Sequence, residues 1–231
     1  MGRAISVLGM HRSGTSCLTG ILQQAGLHLG DVVTSAPFNK KGNREYPEIM
    51  SLNEDVLNEN GGSWDNPVKV INWSSRHADE RDAIIAAFRS NGHERWGFKD
   101  PRTLITLDFW TENFSFDYIG TARHPMAVAR SLAHRNSFEL DKGINLWYIY
   151  NKKMIELWNK ENFPIMIFGV DQDRYIRMCR EVIESLGLDN HGNIDFFDSL
   201  LINQKFDYGN EPELPDAVSE LWDKLLDVAR R

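Results

Sequence analysis

The sequence predicts an α/β fold, with a mainly parallel central sheet flanked by helices. Three observations carry this. Short apolar runs of strand length alternate with longer segments whose apolar residues recur every three or four positions. That alternation is the pattern of strand–helix–strand crossovers, which build parallel sheets. The chain has 231 residues, 42% of them hydrophobic, enough for one large α/β domain and its core. Finally, the first strand pattern runs through a glycine-containing turn straight into a helix pattern.

Each element has its own warrant. Residues 4–8, AISVL, form an apolar run closed by Gly9 and read as a buried strand. Residues 14–25 read as a helix with Leu18, Ile21, Leu22 and Ala25 on one face. Residues 31–44 are polar, contain Pro37 and Gly42, and read as a loop. Residues 47–58 place Ile49, Leu52 and Val56 at helical spacing, and residues 79–90 form a third helix. Residues 96–98 are a short strand before KDPRT, and residues 117–122 another before Pro125, which opens a helix. Residues 140–159 are apolar on much of their surface and read as a buried helix. Residues 164–170, PIMIFGV, are a strand; residues 175–186 and 217–228 are amphipathic helices. No composition shift or repeat divides the chain, so residues 1–231 read as a single domain.

Charge narrows the partners. Lys and Arg total 26 against 33 Asp and Glu, a net charge of −7. An acidic surface argues against nucleic acid or an anionic membrane, but not against a small anion in a local basic pocket. Cys17 and Cys179 are too few for a disulfide framework or a zinc set, and read as reduced and structural. The run AISVLGM is too short for a signal sequence or a membrane span, so a soluble cytoplasmic protein is expected.

The turn GMHRSGTS has the spacing of a nucleoside-triphosphate loop, but Thr15 stands where the lysine would be. A strand, a glycine turn and a helix N-terminus make an anion cradle from backbone N–H groups and the helix dipole. Its formal cation is Arg12, whose guanidinium can fork onto an oxyanion. Ser13, Thr15 and Ser16 add hydroxyls. The alternative is an ordinary glycine turn with an exposed arginine. Further on, Arg123 ends a strand and Ser131 follows eight residues later in a helix; the two can converge on a second phosphate, the other reading being a surface arginine and a helix-facing serine.

These motifs resemble a family. HRSGTS is similar to the 5′-phosphosulfate loop of sulfotransferases that use 3′-phosphoadenosine-5′-phosphosulfate (PAPS), and Arg123 to Ser131 matches the family's 3′-phosphate spacing. FKDP, residues 98–101, resembles a stretch of the tyrosylprotein sulfotransferases, and GNREYPEIMSLNEDVL resembles bacterial sulfotransferases. The resemblance implies a P-loop-type three-layer fold. It implies that Arg12, Ser13, Gly14, Thr15 and Ser16 hold the 5′-phosphosulfate, and that Arg123 and Ser131 hold the 3′-phosphate. It places Lys99 near the bridging oxygen or sulfonate. The chain departs from the cytosolic branch in having Arg12 for the loop lysine and in lacking a C-terminal R-K-G stretch.

The implied reaction moves a sulfonate from PAPS to an acceptor hydroxyl, a carbohydrate or small molecule being favoured. Adenosine 3′,5′-bisphosphate leaves. The sulfonate carries less charge than a phosphoryl group, so no metal is required. Arg12, Lys99 and the loop amides would supply the electrostatic stabilisation. Glu45, before the second helix, is the leading general base, although a solvated glutamate there would be ordinary. Glu48 and then His11 follow it. His124 and His134 read as structural or phosphate-side, and Trp64, Trp73 and Trp147 as core more readily than acceptor contacts. Two alternatives stay open. One is a P-loop kinase or nucleotide hydrolase with a degenerate loop, dependent on magnesium. The other is a non-catalytic nucleotide-binding module.

Overall fold

Four strands, all parallel, form the centre of the computed structural model, which describes residues 4–37, 39, 41–188 and 213–230. They are β1 (Ala4–Leu8), β2 (Gly97–Lys99), β3 (Phe116–Arg123) and β4 (Ile165–Phe168), in the order β2-β1-β3-β4. Ser6 of β1 lies opposite both Phe98 and Tyr118, and Gly120 of β3 lies opposite Ile165. The helices are α1 (Thr15–Gln24), α2 (Pro47–Glu59), α3 (Ser75–Ser90), α4 (Leu107–Thr111), α5 (Pro125–Asn136), α6 (Leu140–Glu161), α7 (Gln172–Ser185) and α8 (Asp216–Val228). A 3-10 turn, Pro101–Leu104, follows β2.

Strand alternation sorts these helices into two layers. Ile5, Val7, Ile119 and Met166 share one face of the sheet with α1 and α7, through Leu18, Leu22, Cys179 and Ile183. Ala4, Leu8, Phe98, Phe116, Tyr118, Ala122, Ile165 and Ile167 meet α2 to α6 and α8 on the other. The result is the expected three-layer α/β arrangement. Every residue of β1 is buried, which is why four of its five residues are apolar and only Ser6 interrupts the run.

The expected elements are present, with shifts at their ends. The third helix starts at Ser75 rather than residue 79, because Ser74 and His77 form a reciprocal cap. Its polar first turn carried no apolar period. The strand expected to reach residue 170 ends at Phe168, where Gly169 turns with φ of 95°. The turn 101–104 and α4 were not foreseen. Among the described residues, no helix is long and apolar enough to cross a membrane. The parallel strands place Leu8, Lys99 and Arg123 at carboxyl ends along one edge, where α/β sheets bind ligands.

Candidate active site

The loop between β1 and α1 is shaped by two glycines. Gly9 has φ of 153°, and a Cβ there would lie 2.5 Å from the Thr121 carbonyl oxygen. Gly14 has φ of 86°, and a Cβ would lie 2.3 Å from Phe168 Cγ. Between them, Arg12 takes the left-handed conformation with φ of 67°. The Ser13 N–H donates to the Met10 carbonyl at 3.2 Å, and the Thr121 hydroxyl donates to the Ser13 carbonyl at 3.0 Å. The loop is therefore tied to β3. The first turn of α1 has neither a side-chain cap nor an acidic residue, which leaves its N–H groups for an anion. The buried Ser13 hydroxyl has no partner among the described residues.

Two arginines line this cradle. Arg12 Nε donates to Ser131 Oγ at 2.8 Å, and Arg123 donates to the Arg12 carbonyl at 3.4 Å. The Trp147 indole N–H donates to the Arg123 carbonyl at 2.8 Å and fixes the end of β3. Burial, reinforced by the positive charge of Arg123, lowers the Arg12 pKa. An anion placed between them relieves that repulsion. Arg123 and Ser131 were expected to act together apart from the loop. In the structure Ser131 meets Arg12, so all three belong to one cluster.

Lys99 and Glu45 form a buried ion pair, Nζ to Oε1 at 2.7 Å, with side chains 1% and 8% exposed. Lys99 ends β2 beside β1. Glu45 is carried by the loop before α2. Arg44, left-handed with φ of 58°, turns the chain there, and its N–H and the Glu45 carbonyl both bond to Val33. Ser16 Oγ donates to the Asn43 carbonyl at 3.0 Å, so α1 also holds this loop. Asn53 fastens α2 to the segment after Lys99. Its Oδ1 accepts from Thr106 Oγ1 at 2.6 Å and from Trp110 Nε1 at 2.8 Å.

Beside the pair lies a second network. Asp100 accepts from the Arg102 backbone N–H at 2.8 Å and from its Nη1 at 3.0 Å, while Arg102 Nε donates to Glu54. Burial pushes the Asp100 carboxyl up to about 6, with Arg102 opposing. Burial works against the Arg102 charge too, but Asp100 and Glu54 more than offset it.

His11 sits at the meeting point. Its ring centroid is 4.6 Å from that of Trp64 and 6.2 Å from that of Tyr150. Burial, followed by the charges of Arg102, Arg135, Lys99 and Arg12, holds its pKa well below the ordinary value. Both effects disfavour the charged imidazolium, and the buried Nε2 of His11 has no partner among the described residues. The Tyr150 hydroxyl donates to the Trp64 carbonyl at 2.7 Å, and the Arg135 guanidinium lies 5.2 Å from the Trp64 ring centroid.

Of the residues singled out from sequence, Arg12, Ser13, Gly14, Thr15 and Ser16 lie in the loop and the start of α1, with Arg123 and Ser131 beside them. Lys99 and Glu45 lie together. The Ser16 hydroxyl is engaged with Asn43. Glu48 is exposed on the first turn of α2. His124 faces Trp222 of α8 at 5.4 Å between centroids, and His134 is exposed. Trp147 is core, and Trp64 packs against that core and also meets His11. Asp100, Arg102, Glu54 and Arg135 were missed. Arg135 had a signal, since it lies one helical turn beyond Ser131 on the same predicted face.

No protein-family model matches the chain, and no curated protein does. Among solved structures, the chain is similar to the sulfotransferase domain from the Synechococcus PCC 7002 olefin synthase. The TM-score is 0.62 at 15% identity, covering 97% of this chain and 95% of that one. At that identity the likeness shows a shared fold.

Proposed function

We propose that this chain is a sulfotransferase that moves a sulfonate from PAPS to a hydroxyl of a carbohydrate or small-molecule acceptor. One observation carries the reading. Along one edge of the sheet, a lysine-free loop with an uncapped helix N-terminus and two arginines lies next to a buried lysine–carboxylate pair. The resemblance to solved sulfotransferase architecture supports it. The residues fit the donor. Ser13 offers a buried hydroxyl without a partner among the described residues, and the cradle closes so tightly at Gly9 and Gly14 that a Cβ would collide.

In this reading the loop N–H groups, with Arg12, Ser13, Gly14, Thr15 and Ser16, hold the 5′-phosphosulfate. Ser16 contributes its backbone, since its hydroxyl holds the Glu45 loop. Arg123 and Ser131 take the 3′-phosphate. Glu45 accepts the proton of the acceptor hydroxyl as that oxygen bonds to sulfur and the bond from sulfur to the 5′-phosphate oxygen breaks. Lys99 and Arg12 stabilise the charge that develops on the departing oxygen. A proton arriving on Glu45 also weakens its hold on Lys99, so the ammonium is released toward the leaving oxygen as charge appears there. The chain's own part is alignment and charge stabilisation.

The test is transfer of labelled sulfonate from PAPS to a panel of hydroxylated acceptors. Transfer that falls in Arg12→Ala and Lys99→Ala, in kcat more than in donor affinity, supports the reading. Transfer of the γ-phosphate of ATP in the presence of magnesium would support a kinase instead. Tight nucleotide binding with no turnover would support a binding module.

A further inference from the structure

The cations around His11 are matched to anions unevenly. Lys99 is paired with Glu45, and Arg102 with Asp100 and Glu54. Arg12 and Arg123 face the donor cradle. Arg135 has no carboxylate at ion-pair distance among the described residues, and its Nε donates to Asn136 Oδ1 at 2.6 Å. That leaves the outer nitrogens of its fork available to a ligand. The guanidinium is half-buried and held over Trp64, which is itself anchored by Tyr150 and stacked against Phe138 at 5.8 Å. Burial, with the charges of Arg12 and Arg102, lowers its pKa to about 10, while Glu45 acts the other way. A cation fixed by an aromatic ring, desolvated, and surrounded mainly by like charge is a site for an anion.

The donor phosphates already have Arg12 and Arg123. Arg135 lies near enough to Glu45, the base of the proposed reaction, to feel its charge, and the acceptor hydroxyl must sit at Glu45. Resting on the sulfotransferase reading, we propose that Arg135 is a specificity-determining residue that binds an anionic group on the acceptor, so that the acceptor is an acidic hydroxylated molecule such as a uronic acid or an already sulfated sugar. The charge balance of the reaction favours this. When Glu45 takes the hydroxyl proton, it ceases to offset the surrounding cations, and a fixed negative charge on the acceptor takes over that role.

The experiment compares three probes of one scaffold: 4-nitrophenyl β-glucoside, the corresponding glucuronide, and the glucoside 6-sulfate. Each is tested for sulfonate acceptance, and each is titrated into protein saturated with adenosine 3′,5′-bisphosphate, so binding is read even where turnover is slow. The parent should favour at least one charged probe over the neutral one by about tenfold or more, as expected for a charge-assisted contact. Arg135→Ala should abolish that preference and Arg135→Lys should keep part of it. Affinity for adenosine 3′,5′-bisphosphate should be the same in all three proteins. Equal treatment of the three probes by the parent, or a preference that survives Arg135→Ala, overturns the proposal. A fall in nucleotide affinity in Arg135→Ala assigns the residue to the donor and also overturns it. If the parent itself fails to bind the nucleotide, the sulfotransferase reading fails, a result distinct from loss of charge preference.

Discussion

Breaking the Glu45–Lys99 pair should cost more when one partner is removed than when both are. The two charges are 2.7 Å apart, and both side chains are nearly inaccessible. At an effective dielectric of about 20 their attraction is about 6 kcal/mol, set against the cost of removing two ions from water. Lys99→Met leaves a buried carboxylate without its cation, and should destabilise the fold by about 3–5 kcal/mol. Glu45→Gln leaves the ammonium with a neutral amide and should cost a similar amount. The double variant removes both charges, so its loss should fall short of the sum of the two singles by about 2 kcal/mol or more. Urea unfolding of the parent, the two single variants and the double variant measures this. Single effects that add to within about 0.5 kcal/mol would refute the reasoning, because they would mean that the two groups do not share a dry contact.

Other outcomes follow from neighbouring contacts. Glu45→Gln should leave nucleotide affinity near normal while turnover falls by about 10²–10⁴-fold, and ordinary turnover would remove Glu45 from the mechanism. Activity should persist in excess chelator, whereas loss restored by magnesium would favour a kinase. Asn53→Ala should lower stability by about 1–3 kcal/mol, because it strands the Trp110 indole N–H, whereas the Thr106 hydroxyl keeps the Arg102 carbonyl at 3.3 Å; denaturant unfolding reads the loss. His124 is held at about 4, chiefly by burial and then by Arg123. The unfolded chain therefore takes up a proton at that histidine below about pH 6.5 that the folded chain refuses, and stability from this residue is lost as pH falls toward 4. Asp100, pushed up to about 6, works oppositely between about pH 4 and 6, so the test is a difference. The Tm of His124→Gln should fall less than that of the parent on acidification, and an unchanged pH profile would count against the shift.

Much of the fold was legible because local chemistry decided it. The buried run AISVL, the opening prolines 47 and 125, and the glycines of the loop each act within a few residues. The start of α3 was not legible, because a serine–histidine cap rather than an apolar period sets it. The site divides in the same way. Arg12, Lys99, Arg123 and Glu45 stand in recognisable stretches, yet nothing in their spacing shows that Glu45 and Lys99 touch, or that Ser131 meets Arg12. The first contact depends on how the loop before α2 folds back to the end of β2, and the second on how α5 packs beside the loop after β1. Arg102 was passed over because its partner Glu54 lies on another helix. Trp64 does pack against the core, but its surroundings, GGSWDNP, give no hint that it also meets His11 and Arg135. The acidic net charge concealed a basic cluster that only the fold assembles.

The most direct test of sulfonate-donor recognition is calorimetric titration of adenosine 3′,5′-bisphosphate against 5′-AMP, in the parent and in Arg123→Ala. The two nucleotides differ only in the 3′-phosphate assigned to Arg123 and Ser131. The parent should bind the bisphosphate more tightly by roughly 1.5–3 kcal/mol, and Arg123→Ala should lose most of that difference while its affinity for 5′-AMP changes little. Equal affinity of the parent for the two nucleotides would contradict the donor assignment and with it the proposed reaction.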